Sequence, residues 1–306
     1  MLCCSCGLPT ITLMSEDDAD KRAIDDLSKQ AKEASSPTMA TLIRARRDQI
    51  RAEITAEREI EKALNKSMAS LLDTIEQAVQ TTGPASIINA SDDELLNLLI
   101  AGGLDEAIDD LTTQQSKIQS SVNKVLTAIE PSLDLSTLAL QIDELSAQNV
   151  EDIFEGVIVP SIKQNIRDSL RDLEVNVPLN TVMSNLQIKM NSSQGRQLTV
   201  IKTKISQYGR GLTAIASAVA ELDHYLYTGP RDGITRPFCK ALVNKVVDEK
   251  QMGKLNNGQG LAVKTSGGGY NCRHSWSPVT ESFIEAAKLT KATASDISDA
   301  NKGGKR

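Results

Sequence analysis

Two cysteines and a histidine in the last third of the chain are the side chains best suited to chemistry. Cys239 lies in "TRPFCKAL", and Cys272 and His274 lie in "GGGYNCRHSWSPV" beside the single tryptophan, Trp276. Thiolates and imidazoles are zinc ligands, and a structural site needs four of them. Cys239, Cys272 and His274 would supply three, with His224, the other histidine, as the fourth. A loop-rich unit with few large apolar residues gains stability from such a staple. The spacing matches no paired Cys-x-x-Cys knuckle, so two other readings stand beside it. The cysteines are equally readable as small packed hydrophobes, or as a Cys239–Cys272 disulfide formed outside a reducing compartment.

Covalent catalysis would need a cysteine held against a histidine that a third group orients. Cys272 and His274 are two apart and share a face on extended backbone, with Asp232 and Glu281 as the candidate carboxylates. No nucleophile elbow, phosphate-binding loop, dinucleotide fingerprint or His-Glu-x-x-His pattern accompanies them. The expectation is a protein that is not an enzyme. Asn271, Arg273 and Trp276 then read as structural, with Trp276 capping a small core and Arg273 pairing with Asp232. Glycines 267–269 allow a tight turn before Cys272.

The elements that must hold these residues are mostly helical. Aromatic residues make up 3% of the 306-residue chain, so its core draws on Leu, Ile, Val and Ala, which suits helix-on-helix packing. Acidic residues 15–38 read as a short helix and a linker. Apolar spacing predicts one long helix over 38–79, a capped helix from Ser91 and Glu94 to Gly102–Gly103, and another over 104–129 ended by Pro131. Helices near 134–147 and 149–173 follow, the second bent at Pro160. Further helices are expected over 180–192 and 195–226. Composition changes at Tyr227, where Gly, Pro and Asn become frequent. "LVNKVV" and "GLAVKT" read as short strands in one or two hairpins, 280–292 as a closing helix, and the end as a polar tail. The fold class is therefore mainly α: an elongated helical N-terminal region, then a small α+β, loop-rich C-terminal domain with short hairpins. The expected divisions are 1–37 flexible, 38–175 long helices, 176–295 the C-terminal domain and 296–306 tail.

The net charge of −6 does not mark a general polyanion binder. Between Val175 and Ala220, however, there is no acid, while Lys189, Arg196, Lys202, Lys204 and Arg210 occur. That stripe reads either as a contact for DNA or an acidic partner, or as a solvated helix face. No run of 18 apolar residues occurs, so no membrane-spanning helix is expected. Cys3, Cys4 and Cys6 in "MLCCSCGLPTITLM" admit a signal peptide, a lipidation site or a metal cluster; a true start at Met14 is the favoured reading.

Taken in order, residues 200–242, the variable stretch with "LNNGQG", and "GGGYNCRHSWSPV" resemble the C-terminal domain of phage Mu F-like minor head proteins. That family pairs a helix bearing an Arg-Thr-Glu-like stretch with an Asp-x-x-Thr-x-x-x-Cys turn and an aromatic-Asn-Cys-Arg-Cys clasp. Here the turn is Asp232, Thr235, Arg236, Pro237 and Cys239, and the clasp is Tyr270, Asn271, Cys272 and Arg273. His274 stands in place of a second clasp cysteine, and Lys202, Thr203 and Lys204 replace the Arg-Thr-Glu stretch. The resemblance covers about residues 196–279. It implies a minor structural protein of the virion, at the portal (neck) region of the head and acting in head morphogenesis. Its implied partners are portal and other virion proteins, packaged DNA and further copies within the assembly, with no membrane. The alternative is a Cys/His metal-stabilised nucleic-acid-binding module on a helical stalk.

Overall fold

The computed structural model describes residues 16–133, 135–171 and 177–304. Cys3, Cys4, Cys6 and Met14 lie outside the described residues. The first half is helical: α1 (Glu16–Lys32), α2 (Pro37–Thr82), α3 (Pro84–Ile88), α4 (Asp92–Ala101), α5 (Leu104–Ile129), α6 (Ala139–Ile153), α7 (Val159–Leu170) and α8 (Leu179–Val219). The boundaries follow from local chemistry. Ser36 caps α2 by accepting from the Met39 N–H, and Gly83 with Pro84 ends it. Ser91 and Glu94 form the expected capping box. Gly102 lets the α4–α5 turn cross α2, because a Cβ there would sit 2.9 Å from the Leu71 Cβ.

Two expectations about helix interruption are corrected. The expected division between 147 and 149 is absent; α6 runs on to Ile153 and into α7 through one π-helical turn, Phe154–Ile158, just ahead of Pro160. The wider turn shifts the hydrogen-bond register just where proline has no N–H to offer. Residues 180–192 and 195–226 are not two helices either. α8 is unbroken for 41 residues, since Gly195 costs only about 1 kcal/mol in a helix interior and burial of Leu186, Met190, Ile201, Ile205 and Leu212 outweighs it.

α8 also ends earlier than expected. Glu221 adopts left-handed φ of 53° and Leu222 N–H donates to the Ser217 carbonyl, a Schellman stop without its usual glycine. Residues 224–228 are therefore strand β1 (His224–Thr228), not helix. It is followed by α9 (Pro237–Leu242), β2 (Lys245–Asp248), α10 (Glu249–Met252), α11 (Val263–Ser266), β3 (Ser275–Pro278), α12 (Glu281–Ala287), β4 (Thr290–Lys291) and α13 (Ala294–Gly304). The sheet order is β3-β1-β2-β4. β1 is antiparallel to both neighbours, with Tyr227 opposite Trp276 and Tyr225 opposite Val247, and β2 is parallel to β4. The expected hairpins are replaced by long connections that carry α9, α10 and α11. "GLAVKT" forms no strand; its second half is the helical turn α11. α12 stops at Lys288, again a left-handed non-glycine, so 290–291 pair as β4.

The sheet is buried on both faces. Leu226 and Val246 pack with Leu42, Ile50, Ile129 and Phe283, in a core that also takes Leu27 and Ala31 of α1. Thus part of the segment expected to be flexible up to residue 37 is a docked helix. Tyr225, Tyr227, Val247 and Trp276 face the other way, onto Phe238, Cys239 and Ile297. A separate core fills the space among α2, α5, α7 and α8.

The expected polar tail is α13, with Ile297 and Ala300 buried. Thr293 and Asp296 cap it reciprocally, and Asp296 accepts from Lys245 Nζ at 2.5 Å. These contacts, the Lys245 hydrogen bond first, hold the Asp296 carboxyl down from its ordinary 3.8 to about 2. A depressed carboxyl stabilises the fold above its unfolded value and loses that contribution as pH falls through the folded one. Asp296→Asn is therefore expected to lower stability by about 1 kcal/mol at neutral pH. In thermal melts the gap from the parent should close between about pH 4 and about pH 2, the window bounded by those two values.

Candidate metal centre

Two segments 33 residues apart in sequence deliver the sulfurs and the imidazole to one buried point. Pro237 starts α9, which carries Cys239 inward. The glycine turn presents Cys272, and His274 immediately precedes β3. Cys239 Sγ and Cys272 Sγ lie 3.7 Å apart, and Cys272 Sγ is 3.9 Å from His274 Nδ1. All three ligand atoms fall within 4.8 Å of one another, and all three residues are buried. Both thiols are free.

The surroundings are built around the sulfurs. Gly268 N–H donates to Cys272 Sγ at 3.2 Å, and a Cβ on Gly268 would lie 2.5 Å from Cys239 Sγ. No larger residue allows the backbone this close. Tyr227 Oη sits 3.4 Å from Cys239 Sγ and 3.6 Å from Cys272 Sγ. Its ring stacks on His274 at 5.2 Å and packs against Trp276 at 4.2 Å. Trp276 Nε1 donates to the Val263 carbonyl. The contact with Cys272 and burial push the Cys239 thiol up. The hydrogen bond from Cys239, with His274 and Arg210 nearby, holds Cys272 well below the usual thiol range. Burial and the neighbouring sulfurs raise the Tyr227 phenol well above its ordinary value, so it stays a neutral donor.

Outside the sulfurs, the turn and the clasp are tied together. Arg273 Nη1 pairs with Asp232 Oδ2 at 2.6 Å and Nη2 donates to Oδ1 at 2.9 Å. Burial raises the Asp232 carboxyl, but the Arg273 hydrogen bond and charge outweigh it and leave it lowered. Thr235 Oγ1 is 2.9 Å from both Asp232 Oδ1 and the Pro230 carbonyl oxygen. Asn271, in left-handed φ of 53°, donates its N–H to Thr203 Oγ1 on α8 at 3.4 Å. Tyr270, at 46%, and Asn271 are the exposed residues of the clasp.

His224 does not join the cluster. It opens β1, about 10 Å along the strand from Tyr227, and its ring nitrogens contact Asp223 at 2.7 Å and Glu281 at 3.3 Å. Glu281 is likewise engaged there and with Lys291, away from the cysteines. The basic stripe also comes apart. Arg210 is buried; it donates to the carbonyls of His274 and Thr265, at 2.9 and 3.3 Å, and to that of Cys272. Lys204 pairs with Asp152 at 2.6 Å. Lys189 and Lys202 are half-buried, and Arg196 is exposed. At 3.6 residues per turn Lys189, Arg196, Lys204 and Arg210 share one side of the helix and Lys202 lies off it, but with Arg210 buried and Lys204 paired the five residues do not form one free cationic face.

Sequence reasoning missed Tyr227, Arg46, the approach of Gly268 to the sulfurs and the role of Arg210. Arg46 Nη2 donates to the Arg273 carbonyl at 3.2 Å, and Arg46 pairs with buried Glu53 at 3.6 Å. The readable signal was "YGRG". Cβ atoms on Gly209 and Gly211 would lie 3.0 Å from Glu53 Oε1 and 2.8 Å from Leu145 Cδ2, so small residues there announce an arginine sunk between helices.

No protein-family model matches the chain, and no curated protein or solved structure does.

Proposed function

We propose that the chain is a minor structural protein of a tailed-phage virion, at the portal region of the head and acting in head morphogenesis. The observation that carries this reading is the meeting of the residues on which the Mu F-like resemblance rests. The Asp232–Cys239 turn and the 270–274 clasp join through the Asp232–Arg273 pair, the two sulfurs, and Arg236 Nη1 donating to the Gly268 carbonyl at 3.2 Å. Thr203, in the stretch that replaces Arg-Thr-Glu, reaches Asn271. A motif that closes one small fold would impose those spacings in sequence.

The nucleic-acid reading is weakened by the burial of Arg210 and by the Lys204–Asp152 pair. Quantitative mass spectrometry of purified particles from the encoding phage tests the proposal. A low, fixed copy number relative to the major capsid protein is expected. Absence from mature particles and from assembly intermediates overturns it.

A further inference from the structure

We infer that Cys239 Sγ, Cys272 Sγ and His274 Nδ1 together bind one zinc ion, with water from an adjoining cleft as fourth ligand. The inference does not depend on the virion reading. Zn–S bonds of about 2.3 Å and Zn–N bonds of about 2.0–2.1 Å, set tetrahedrally, place the ligand atoms about 3.5–3.8 Å apart. The observed edges are 3.7 Å, 3.9 Å and at most 4.8 Å. Closing the longest needs a shift of about 1.3 Å or less to reach that geometry, within reach of small χ rotations.

The donor set matches the ion. Two thiolates and an imidazole suit a borderline-soft d10 cation, whereas magnesium and calcium require oxygen. The surroundings fit as well. Gly268 N–H and the Tyr227 hydroxyl point donors at the sulfurs, the hydrogen bonding that supports metal-bound thiolates. His274 has no partner at Nε2, and its Nδ1 contacts only sulfur. Nδ1, beside the sulfurs, is the nitrogen whose lone pair an ion there would take, with the ring proton left on Nε2.

The fourth position is reachable. Cys239, Cys272 and His274 line a cleft of about 210 Å³ together with Thr235, Arg236 and Arg273, and a water occupies about 30 Å³. Each thiol still protonated releases its proton to solvent as its Zn–S bond forms. The ion would then bind α9, the glycine turn and the approach to β3 to one another. That is the staple which a loop-rich layer lacks.

The test uses the full chain, purified with reductant and without chelator, then titrated with zinc. About one zinc per chain is expected by elemental mass spectrometry. The loading should be unchanged in His224→Ala and in Cys3→Ser/Cys4→Ser/Cys6→Ser, and reduced at least fivefold in Cys272→Ser and His274→Ala. Because the last two variants risk misfolding, the parent is also loaded with Co(II), which should give sulfur-to-cobalt charge-transfer absorption and tetrahedral d–d bands. Zinc should also shield two thiols from a thiol reagent until chelator is added. A parent that takes up no zinc overturns the inference. So does loading that survives in both ligand variants, or loading that the N-terminal triple variant abolishes.

Discussion

Arg210→Met is expected to destabilise the protein by about 4–6 kcal/mol, enough to leave the C-terminal layer largely unfolded at moderate urea. The guanidinium spans from α8 to three carbonyls, those of Thr265, Cys272 and His274. It is thus the contact that seats the sulfur-bearing loop on the helices. Hydrogen bonds to a charged group contribute about 1.5–3 kcal/mol each, and a carbonyl left buried without a donor costs about 1–3 kcal/mol. The bonds share one donor group and do not add fully, which sets the estimate below their sum. Against a total stability of about 5–15 kcal/mol for a domain, such a loss dominates. Arg210→Lys should recover only part, because an ammonium cannot span the three acceptors. Urea midpoints give the magnitude, and amide exchange should accelerate first in 263–278. A midpoint change equivalent to less than about 1 kcal/mol would refute the clamp, given the bond strengths above.

Glu53→Gln should destabilise by about 3–5 kcal/mol, the usual result of removing one partner from a buried ion pair. Arg46 and Glu53 are both almost wholly buried. Glu53 also accepts from Gln49 Nε2 at 2.9 Å and from the Ser206 hydroxyl at 3.3 Å. Burial already lowers the Arg46 pKa, with the Glu53 charge opposing that shift, so removing the carboxylate leaves a cation in an apolar setting. Replacing both partners, Arg46→Met with Glu53→Leu, should recover most of the loss, because paired charges gain little over well-packed apolar groups. The remaining deficit would report the Arg273 carbonyl that Arg46 satisfies. A double-mutant cycle from denaturant unfolding measures the coupling. If the double variant is no more stable than Glu53→Gln, the pair does more than neutralise charge.

Both effects concern arginines, and the composition of α8 invites the opposite reading of Arg210. An acid-free helix with five cations looks like a surface for phosphates. In the fold, the lack of acids has another cause at Arg210: its counter-groups are carbonyls on a loop more than fifty residues later, not side chains on its own helix. Lys204 finds its acid on α6, also outside the helix. Sequence spacing reports partners one or two turns away and says nothing of those brought in by packing.

The same limit shaped the element boundaries. Stops marked by Gly or Pro at 102–103 and 131 match the structure. The stops at Glu221 and Lys288 use left-handed non-glycines, and there the helices were drawn too long and β1 and β4 were lost. "TASD" at 293–296 is a capping signal of the same kind as "SDDE" at 91–94. It was overlooked because the composition around it looked like a tail.

Apolar periodicity and capping residues were enough to specify α2, α4 and α5 and the mainly helical class, because each depends on neighbours within a turn or two. They also marked Cys239, Cys272 and His274 as residues of interest, through rarity and clustering. Which of the two histidines belongs with the sulfurs was settled by the sheet. β1 sends His224 to one end and Tyr227 to the sulfurs, and its antiparallel pairing with β3 sets Tyr227 opposite Trp276, beside His274. That arrangement rests on strand pairing and on sheet faces buried against α2, α5 and α9, contacts between residues far apart in the chain, whose register no local pattern encodes.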